Sequence, residues 1–290
     1  MTVIAFGSSK SSPGVTTTVL ALAARWPTSR EPLVVEADPS GGELVARLAS
    51  LEGDASGLRD TPSTVQLAAS SRAGLSDRTL LEHLQRLPGS GEVRVLVAPS
   101  SPFAASTAMA ALVAARVGAV LTGLAGMDVL LDVGRVDAAS PVLPMLRELG
   151  TVVLVARPTL TSVLHTRELV SSLRAAGVRS SLIVIGDWPY SPSDVSDAIG
   201  ATALVGVLPD DPVGARALNG DARNAKVLGR TRLVRACADL AERLAPPVAP
   251  PAPATSPPAT PVRSVLPPPP PSPAPVAPLN GSSPPVEVAP

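Results

Sequence analysis

A loop of small and polar side chains near the start of the chain contains the residues best suited to bind an anion. It extends from Gly7 to Thr18, follows an apolar run that predicts a strand, and leads into a helical pattern. At such a junction the backbone N–H groups and the helix dipole attract phosphate, and small side chains allow it to come close. Lys10, one of only two lysines in the chain, lies in this loop. The loop therefore predicts a phosphate-binding site.

The loop follows only part of the pattern GxxxxGK[ST], in which a lysine reaches the β- and γ-phosphates and a hydroxyl binds Mg²⁺. Gly14 and Thr16 occupy the positions of the second glycine and the hydroxyl residue, but Val15 occupies that of the lysine. A valine cannot neutralise phosphate charge. The alternative interpretation is an ordinary connection in which a serine or threonine caps a helix.

Two aspartates favour the phosphate interpretation because each lies at the end of a predicted strand. Asp38 directly follows the predicted strand Leu33–Ala37, and Asp132 lies near the end of the predicted strand Val129–Val133. Taken singly, each could be a solvated or helix-capping carboxylate. In open parallel sheets, however, ligands bind at the carboxyl ends of the strands. We therefore expect both aspartates at one site with the loop.

Two further groups of residues admit two interpretations each. Asp210 and Asp211 precede Pro212, a pattern typical of a helix start, although contact with a base is not excluded by it. Trp188 and Tyr190 predict a loop anchor, with stacking on a base as the alternative.

The elements that must position these residues alternate along the chain. Short apolar runs and longer helical patterns predict an α/β fold with a mostly parallel sheet and helices on both faces. The seven predicted strands are Thr2–Gly7, Leu33–Ala37, Val93–Ala98, Val129–Val133, Val152–Ala156, Leu182–Ile185 and Ala203–Val207. The predicted helices are Thr16–Trp26, a helix within Glu43–Leu51, Thr64–Ser71, Thr79–Leu87, a helix or helix pair across Ala104–Leu124, Pro144–Leu149, Thr161–Ala176, Pro192–Ile199 and Val227–Leu244.

Composition divides the 290 residues into two parts. Residues 246–290 contain 19 of the 34 prolines and predict a disordered tail, so residues 1–245 form the predicted domain.

The charge balance and the single cysteine exclude other classes of protein. The 24 basic and 24 acidic residues cancel, which makes binding to DNA by bulk charge unlikely. The single cysteine, Cys237, excludes an internal disulfide and predicts a cytoplasmic location. Arg116 interrupts the longest apolar region, so we expect no membrane-spanning segment, and the apolar stripe between Leu233 and Leu244 predicts docking on the sheet.

The loop resembles the deviant Walker A motif, KGGxGKTT, of the MinD/ParA family of P-loop ATPases. Four of its positions match: Lys10, Gly14, Thr16 and Thr17. Two glycines and the second lysine of the motif are replaced by Ser11, Ser12 and Val15.

Three later segments extend the resemblance over residues 1–245. Glu36–Gly42 is similar to the DxDPxxG segment of the family, and Leu130–Gly134 resembles its switch segment. Val207–Asp211 resembles the loop that packs against adenine. Asp187 falls where many members have an asparagine for the base, which is a departure from the family pattern.

The resemblance implies ATP and Mg²⁺ as ligands, with a role for each matching residue. The predicted phosphate cradle consists of Pro13, Gly14, Val15, Thr16 and Thr17. Thr16, Asp38 and Asp132 are implied at the metal, with Asp38 orienting the attacking water and Asp132 linking the metal to the switch. Lys10 is implied to contact phosphate across a dimer, and Pro209 and Asp210 to contact adenine.

The resemblance implies a nucleotide-dependent homodimer that positions or regulates a larger assembly through a protein partner. Because Val15 replaces the lysine, we expect weak or absent hydrolysis. The alternative is a protein-interaction scaffold that no longer hydrolyses nucleotide. DNA binding is a third interpretation, for which a local basic stretch between Arg216 and Arg235 could serve.

Overall fold

Apolar strands form the centre of the molecule. The computed structural model describes residues 2–10, 14–27, 30–48, 57–88, 92–201, 203–220 and 228–245. The strands are β1 (Val3–Ser8), β2 (Glu31–Glu36), β3 (Gln85–Arg86), β4 (Arg94–Leu96), β5 (Met127–Arg135), β6 (Thr151–Ala156), β7 (Arg179–Ile185) and β8 (Leu204–Leu208). They form one sheet in the order β3-β4-β2-β5-β1-β6-β7-β8, and every neighbouring pair is parallel except β3 and β4. The predicted α/β class and the seven predicted strands are confirmed.

Helices connect the strands. The α-helices of the described residues are α1 (Val15–Ala23), α2 (Leu44–Leu48), α3 (Thr64–Ser70), α4 (Asp77–Leu81), α5 (Pro102–Ala114), α6 (Val117–Gly123), α7 (Leu143–Leu149), α8 (Leu160–Ala175), α9 (Pro192–Ile199), α10 (Pro212–Leu218) and α11 (Arg232–Leu244). Short 3₁₀ turns occur at Ser71–Ala73 and Leu228–Arg230. Side-chain hydroxyls of serine or threonine cap several of the α-helices, as at Ser101, Thr159 and Thr231.

Both faces of the sheet are buried, because successive side chains of a strand point to opposite sides. Ala5 and Leu33 belong to the core that packs under α3 to α9. Their neighbours Phe6 and Val34 belong to a second core, which contains residues of α1, α2, α10 and α11. Aliphatic side chains supply nearly all of this packing, as the low aromatic content requires.

One predicted helix is wrong in its second half. The pattern over Thr79–Leu87 predicts a single helix, but α4 ends at Leu81 and β3 pairs antiparallel with β4. The Gln85 side chain explains the difference, because it accepts a hydrogen bond from the N–H of Arg59 and donates one to the carbonyl of Pro62. These long-range contacts outweigh the local helical preference.

The apolar region across Ala104–Leu124 forms the pair α5 and α6, which are bent by 70° at a break where Arg116 has a positive φ of 60°. Within the described ranges, no single helix is long and apolar enough to cross a membrane, although this bent pair together meets both criteria. The proline-rich tail predicted for residues 246–290 lies outside the described residues.

Candidate functional site

A cleft opens at the carboxyl edge of β2, β5 and β1. Its volume is about 430 Å³, which falls in the range of about 300–1,000 Å³ that is typical of small-molecule sites. The sheet order places these three strands side by side, and Asp132 lies level with Glu36 on one neighbouring strand and Phe6 on the other. Residues far apart in the chain therefore meet at one edge, as the pattern of strands predicts.

The start of α1 forms one wall of the cleft. Gly14 precedes the helix with a φ of +104°, a left-handed conformation that favours glycine, and its carbonyl accepts the hydrogen bond of Thr18 N at 2.9 Å. Gly14, Val15, Thr16 and Thr17 all line the cleft. The first N–H groups of a helix have no partner within it, so this wall presents donors suited to an anion.

Val15 contributes its backbone to the cleft and its side chain to the core. The residue is only 6% exposed and belongs to the apolar cluster around α1 and α11. Position 15, where the lysine would stand in a standard loop, is thus occupied by a packing residue. At position 15 the loop therefore offers a phosphate its backbone dipole but no cation.

Asp132 lies at the base of the cleft and is 3% exposed. Its Oδ1 accepts a hydrogen bond from the Gly134 N–H at 3.0 Å. Burial raises the pKa of Asp132 to about 7, and the nearby Thr16 side chain acts to lower it. The nearby carboxylates of Glu36 and Asp38 act in the same direction as burial. The structure therefore brings Thr16 and Asp132 together.

Asp38 lies in the loop after β2, half-buried at the rim of the cleft. Its Oδ1 accepts the Ser40 N–H at 2.7 Å, and its carboxylate lies against Gly134. Burial raises the pKa of Asp38 above its usual value, with a contribution from Glu43, while the hydrogen bonds from Ser40 oppose the rise. Asp38 and Asp132 approach each other, as their strand-end positions predict.

These residues fit a magnesium ion that is shared with a phosphate. Among the described residues, no three His, Cys, Asp or Glu side chains are grouped to hold a metal by themselves. Mg²⁺ usually keeps several waters and takes only one or two carboxylates besides phosphate oxygens. The Thr16 hydroxyl and the Asp132 carboxylate match that requirement, with Asp38 lining the same cleft.

Glu36 is a structural part of the site that sequence reasoning did not single out. It is 2% exposed, and its Oε1 accepts the N–H groups of Glu43 and Leu44 at 2.7 and 2.9 Å. Its Oε2 accepts the Ala98 N–H at 2.9 Å. The carboxylate thereby ties the start of α2 and the end of β4 to β2. The signal was available, since Glu36 is the first acidic position of the segment that resembles DxDPxxG.

Three arginines that were also missed line the cleft. Arg47 belongs to α2, Arg135 ends β5, and Arg157 directly follows β6. Nη1 of Arg157 lies 3.2 Å from Oδ2 of Asp210. The position of Arg135 and Arg157 at strand ends was a usable signal, because basic residues there face the same edge as the aspartates. Arg47 had no such signal.

Lys10 is exposed at the end of a described segment, and its side chain does not line the cleft formed by the described residues. Its carbonyl accepts a hydrogen bond from the Ser8 hydroxyl at 3.0 Å. Pro13, predicted as part of the phosphate cradle, lies outside the described residues.

Pro209 and Asp210, implied at the adenine, follow β8, and neither of these described residues lines the cleft. Asp211 caps α10, and its carboxylate accepts the N–H groups of Gly214 at 3.0 Å and Leu233 at 3.1 Å. Burial alone would raise the pKa of Asp211, but these hydrogen bonds, together with the backbone N–H and the charge of Arg232, outweigh it and lower the pKa. The helix-start interpretation of Asp211 is confirmed.

The tryptophan after β7 does not anchor its loop. Trp188 is 81% exposed and Tyr190 is 43% exposed, so the predicted anchor role is wrong. The loop is held by its backbone instead, because the N–H of Gly186 donates a hydrogen bond to the carbonyl of Leu208.

The fold is that of solved ParA and MinD ATPases. A ParA family ATPase from Chlorobium tepidum matches with a TM-score of 0.64 at 16% identity, covering 84% of this chain and 99% of that one. MinD from Pyrococcus horikoshii, solved with Mg-ADP, gives 0.61 at 19% identity and covers 83% and 95%. A Cyanothece McdA variant, solved with ATP, gives 0.57 at 16% identity and covers 86% and 99%. No family model and no curated protein matches the sequence. The predicted resemblance is confirmed for the fold.

Proposed function

We propose that this chain is a nucleotide-dependent dimerisation switch, which binds Mg-ATP, hydrolyses it slowly or not at all, and positions or regulates a larger assembly. The observation that supports this most is that Thr16, at the start of α1, and the buried Asp132, at the end of β5, line the same cleft, with the Thr16 side chain near enough to lower the pKa of Asp132. This arrangement joins a phosphate-binding wall to a magnesium-binding carboxylate within one cleft.

Each part of the cleft has a distinct task in this proposal. The backbone N–H groups of residues 15–17 bind the phosphates, and Gly14 allows the loop to turn into α1. Thr16 and Asp132 would hold Mg²⁺. The ion would neutralise phosphate charge and fix the phosphate oxygens. Asp38 orients the attacking water from the rim of the cleft.

Slow hydrolysis follows from the side chain at position 15. The transition state of phosphoryl transfer is stabilised mainly by positioned positive charge. The buried Val15 supplies none. The scaffold alternative, with no hydrolysis at all, rests on this same observation.

A solved structure of the same fold supports the partner part of the proposal. The MinC:MinD complex of Aquifex aeolicus shows that a MinD protein assembles with a second protein. The exposure of Lys10 leaves its ammonium able to reach the phosphates of a partner subunit.

Two further predictions from the sequence keep their standing. The balance of acidic and basic residues does not favour DNA binding, and the cytoplasmic location stays a prediction.

Titration of the full chain with methylanthraniloyl-ATP tests the proposal, with and without Mg²⁺ and with molar mass followed by light scattering. We expect saturable Mg²⁺-dependent binding and a dimer that forms only with nucleotide. Lys10→Ala should abolish the dimer, whereas Lys226→Ala, which removes the other lysine, should not. Asp38→Ala should also abolish the nucleotide-dependent dimer, whereas Asp197→Ala, at an exposed aspartate, should leave it intact.

No binding at millimolar nucleotide would overturn the switch and support the scaffold alternative. Binding with no change in molar mass would overturn the dimerisation part alone.

A further inference from the structure

The phosphate cleft lacks the positive charge that a lysine at position 15 would supply. Val15 is buried where a lysine would stand, and Lys10 is not among the residues that line the cleft. The base of the cleft is itself acidic, since Glu36 and Asp132 are buried there. A polyphosphate with one Mg²⁺ retains net negative charge, so its binding beside these carboxylates requires further cations.

We infer that Arg135 and Arg47, which lie near the start and the end of the loop, supply the charge that is missing at position 15. This inference rests on the proposed function, because it concerns the same ligand and the same cleft. It assigns to two arginines of this chain a phosphate-binding role that the loop motif normally gives to lysine.

Arg135 lies beside the start of the phosphate loop. It is the last residue of β5 and pairs in register with Ser8, the last residue of β1. Its side chain is exposed and lines the cleft. Within the described residues, no carboxylate lies at ion-pair distance from its guanidinium, so its charge is not already balanced by a neighbour. Arg135 also follows Gly134, whose N–H bonds to Asp132, and so connects the metal end of the cleft to the phosphate end.

Arg47 approaches the loop from α2. Its Nη1 lies 3.5 Å from Oγ1 of Thr17, in the first turn of α1, and also donates to Oδ1 of Asn219. Nη2 pairs with Glu43. These contacts hold the side chain, which is 23% exposed, beside the first turn of α1. A guanidinium has five N–H donors, so donors remain for phosphate oxygens after these bonds are made.

Arg157 is a poorer candidate although it lines the same cleft. Its guanidinium pairs with Asp210 at 3.2 Å, and no contact with the phosphate loop accompanies that pair in the described residues. The geometry therefore favours Arg135 and Arg47 as the phosphate ligands.

Competition by magnesium pyrophosphate against methylanthraniloyl-ATP tests the inference on the full chain, because pyrophosphate isolates the phosphate contacts from the base. Arg135→Gln and Arg47→Gln should each weaken pyrophosphate binding by about 10- to 100-fold, the value of a charge-assisted hydrogen bond. Arg135→Lys should restore most of the affinity, because it keeps the charge. Arg78→Gln is the matched control, since Arg78 on α4 is 88% exposed and pairs with Glu82, four residues later.

Urea unfolding of each variant keeps folding separate from binding. If wild-type protein binds pyrophosphate and both arginine variants bind it equally well, the inference is overturned while the proposed function stands. The inference is also overturned if Arg78→Gln weakens binding as much as Arg135→Gln, because net charge alone would then explain the effect. If the wild-type chain binds neither ligand, the proposed function fails and the inference with it.

Discussion

The carboxylate of Asp38 lies so close to Gly134 that a β-carbon at position 134 would overlap its Oδ2 atom. The loop after β2 and the end of β5 therefore meet where one of them has no side chain. Gly134 also has a positive φ of 56°, a conformation that other residues adopt only with strain. This contact fixes Asp38 relative to Asp132, two residues before Gly134.

Gly134→Ala should disrupt that contact. We expect the free energy of unfolding to fall by about 2–4 kcal/mol, from backbone strain and from overlap with Asp38. Gly150→Ala is the control, because Gly150 has a φ of +74° but no described atom within 4 Å of an added β-carbon. Gly150→Ala should lower the free energy of unfolding by the backbone strain alone, about 1–2 kcal/mol. Urea unfolding measures both, and equal losses would show that the Asp38 contact does not constrain position 134.

Asp132→Asn should change how stability depends on pH. The pKa of Asp132 is raised to about 7 by burial, against about 3.9 in an unfolded chain. The folded protein therefore keeps this proton in a window where the unfolded chain releases it, and the free energy of unfolding falls as the pH rises from about 4 to about 7. An asparagine side chain does not ionise, so the variant should not lose this stability as the pH rises.

We expect Asp132→Asn to gain up to about 3 kcal/mol relative to wild type between pH 5 and pH 8. Urea unfolding of both proteins at the two pH values, without Mg²⁺, measures this difference. A difference that stays constant with pH would contradict the raised pKa.

Glu36→Gln should lower the free energy of unfolding although the two side chains are nearly the same size. Both carboxylate oxygens of Glu36 accept backbone N–H groups. A glutamine would place an NH₂ group against one of these donors, at a cost of about 1–3 kcal/mol. Glu31→Gln, at the other end of β2, is the control, because Glu31 is about one-third exposed and pairs with Arg94. That change should cost less than about 1 kcal/mol in urea unfolding, and a similar cost for both would refute the capping role of Glu36.

Cys237 should be inert in the folded protein. The thiol is fully buried in the core around α11, and burial raises its pKa to about 12. Because only the thiolate reacts, a disulfide reagent at pH 8 should not label the native chain and should label it stoichiometrically in urea. Rapid labelling of the native chain would show that α11 does not pack on the sheet as described.

The position of the site was predictable because it depends on local patterns. Gly14 and Thr16 lie in a small-residue loop between a strand and a helix, and Asp132 lies at a strand end. Parallel strands bring such residues to one edge whatever their separation along the chain. The same rule predicted that Asp38 and Asp132 would approach each other.

The placement of Arg47, the strand β3 and the exposure of Trp188 depend on long-range contacts, which no local sequence pattern predicts. Arg47 contacts Thr17 from α2, whose start is held beside β2 by the Glu36 carboxylate. The short strand β3 exists because Gln85 bonds to Arg59 and Pro62, more than twenty residues earlier in the chain. Trp188 belongs to a residue type that is usually buried, and only the structure shows that it is exposed.

The exposure of Trp188 gives the protein a fluorescent reporter of its own. The only other tryptophan, Trp26, is 5% exposed and donates its indole N–H to Asp128 at 3.1 Å. Acrylamide should therefore quench Trp188 and leave the emission of Trp26 almost unchanged. Because Trp188 follows β7 at the same edge of the sheet as the cleft, any molecule that covers this edge would shield its emission from the quencher. Association at this edge can thus be followed by steady-state fluorescence without attaching a dye.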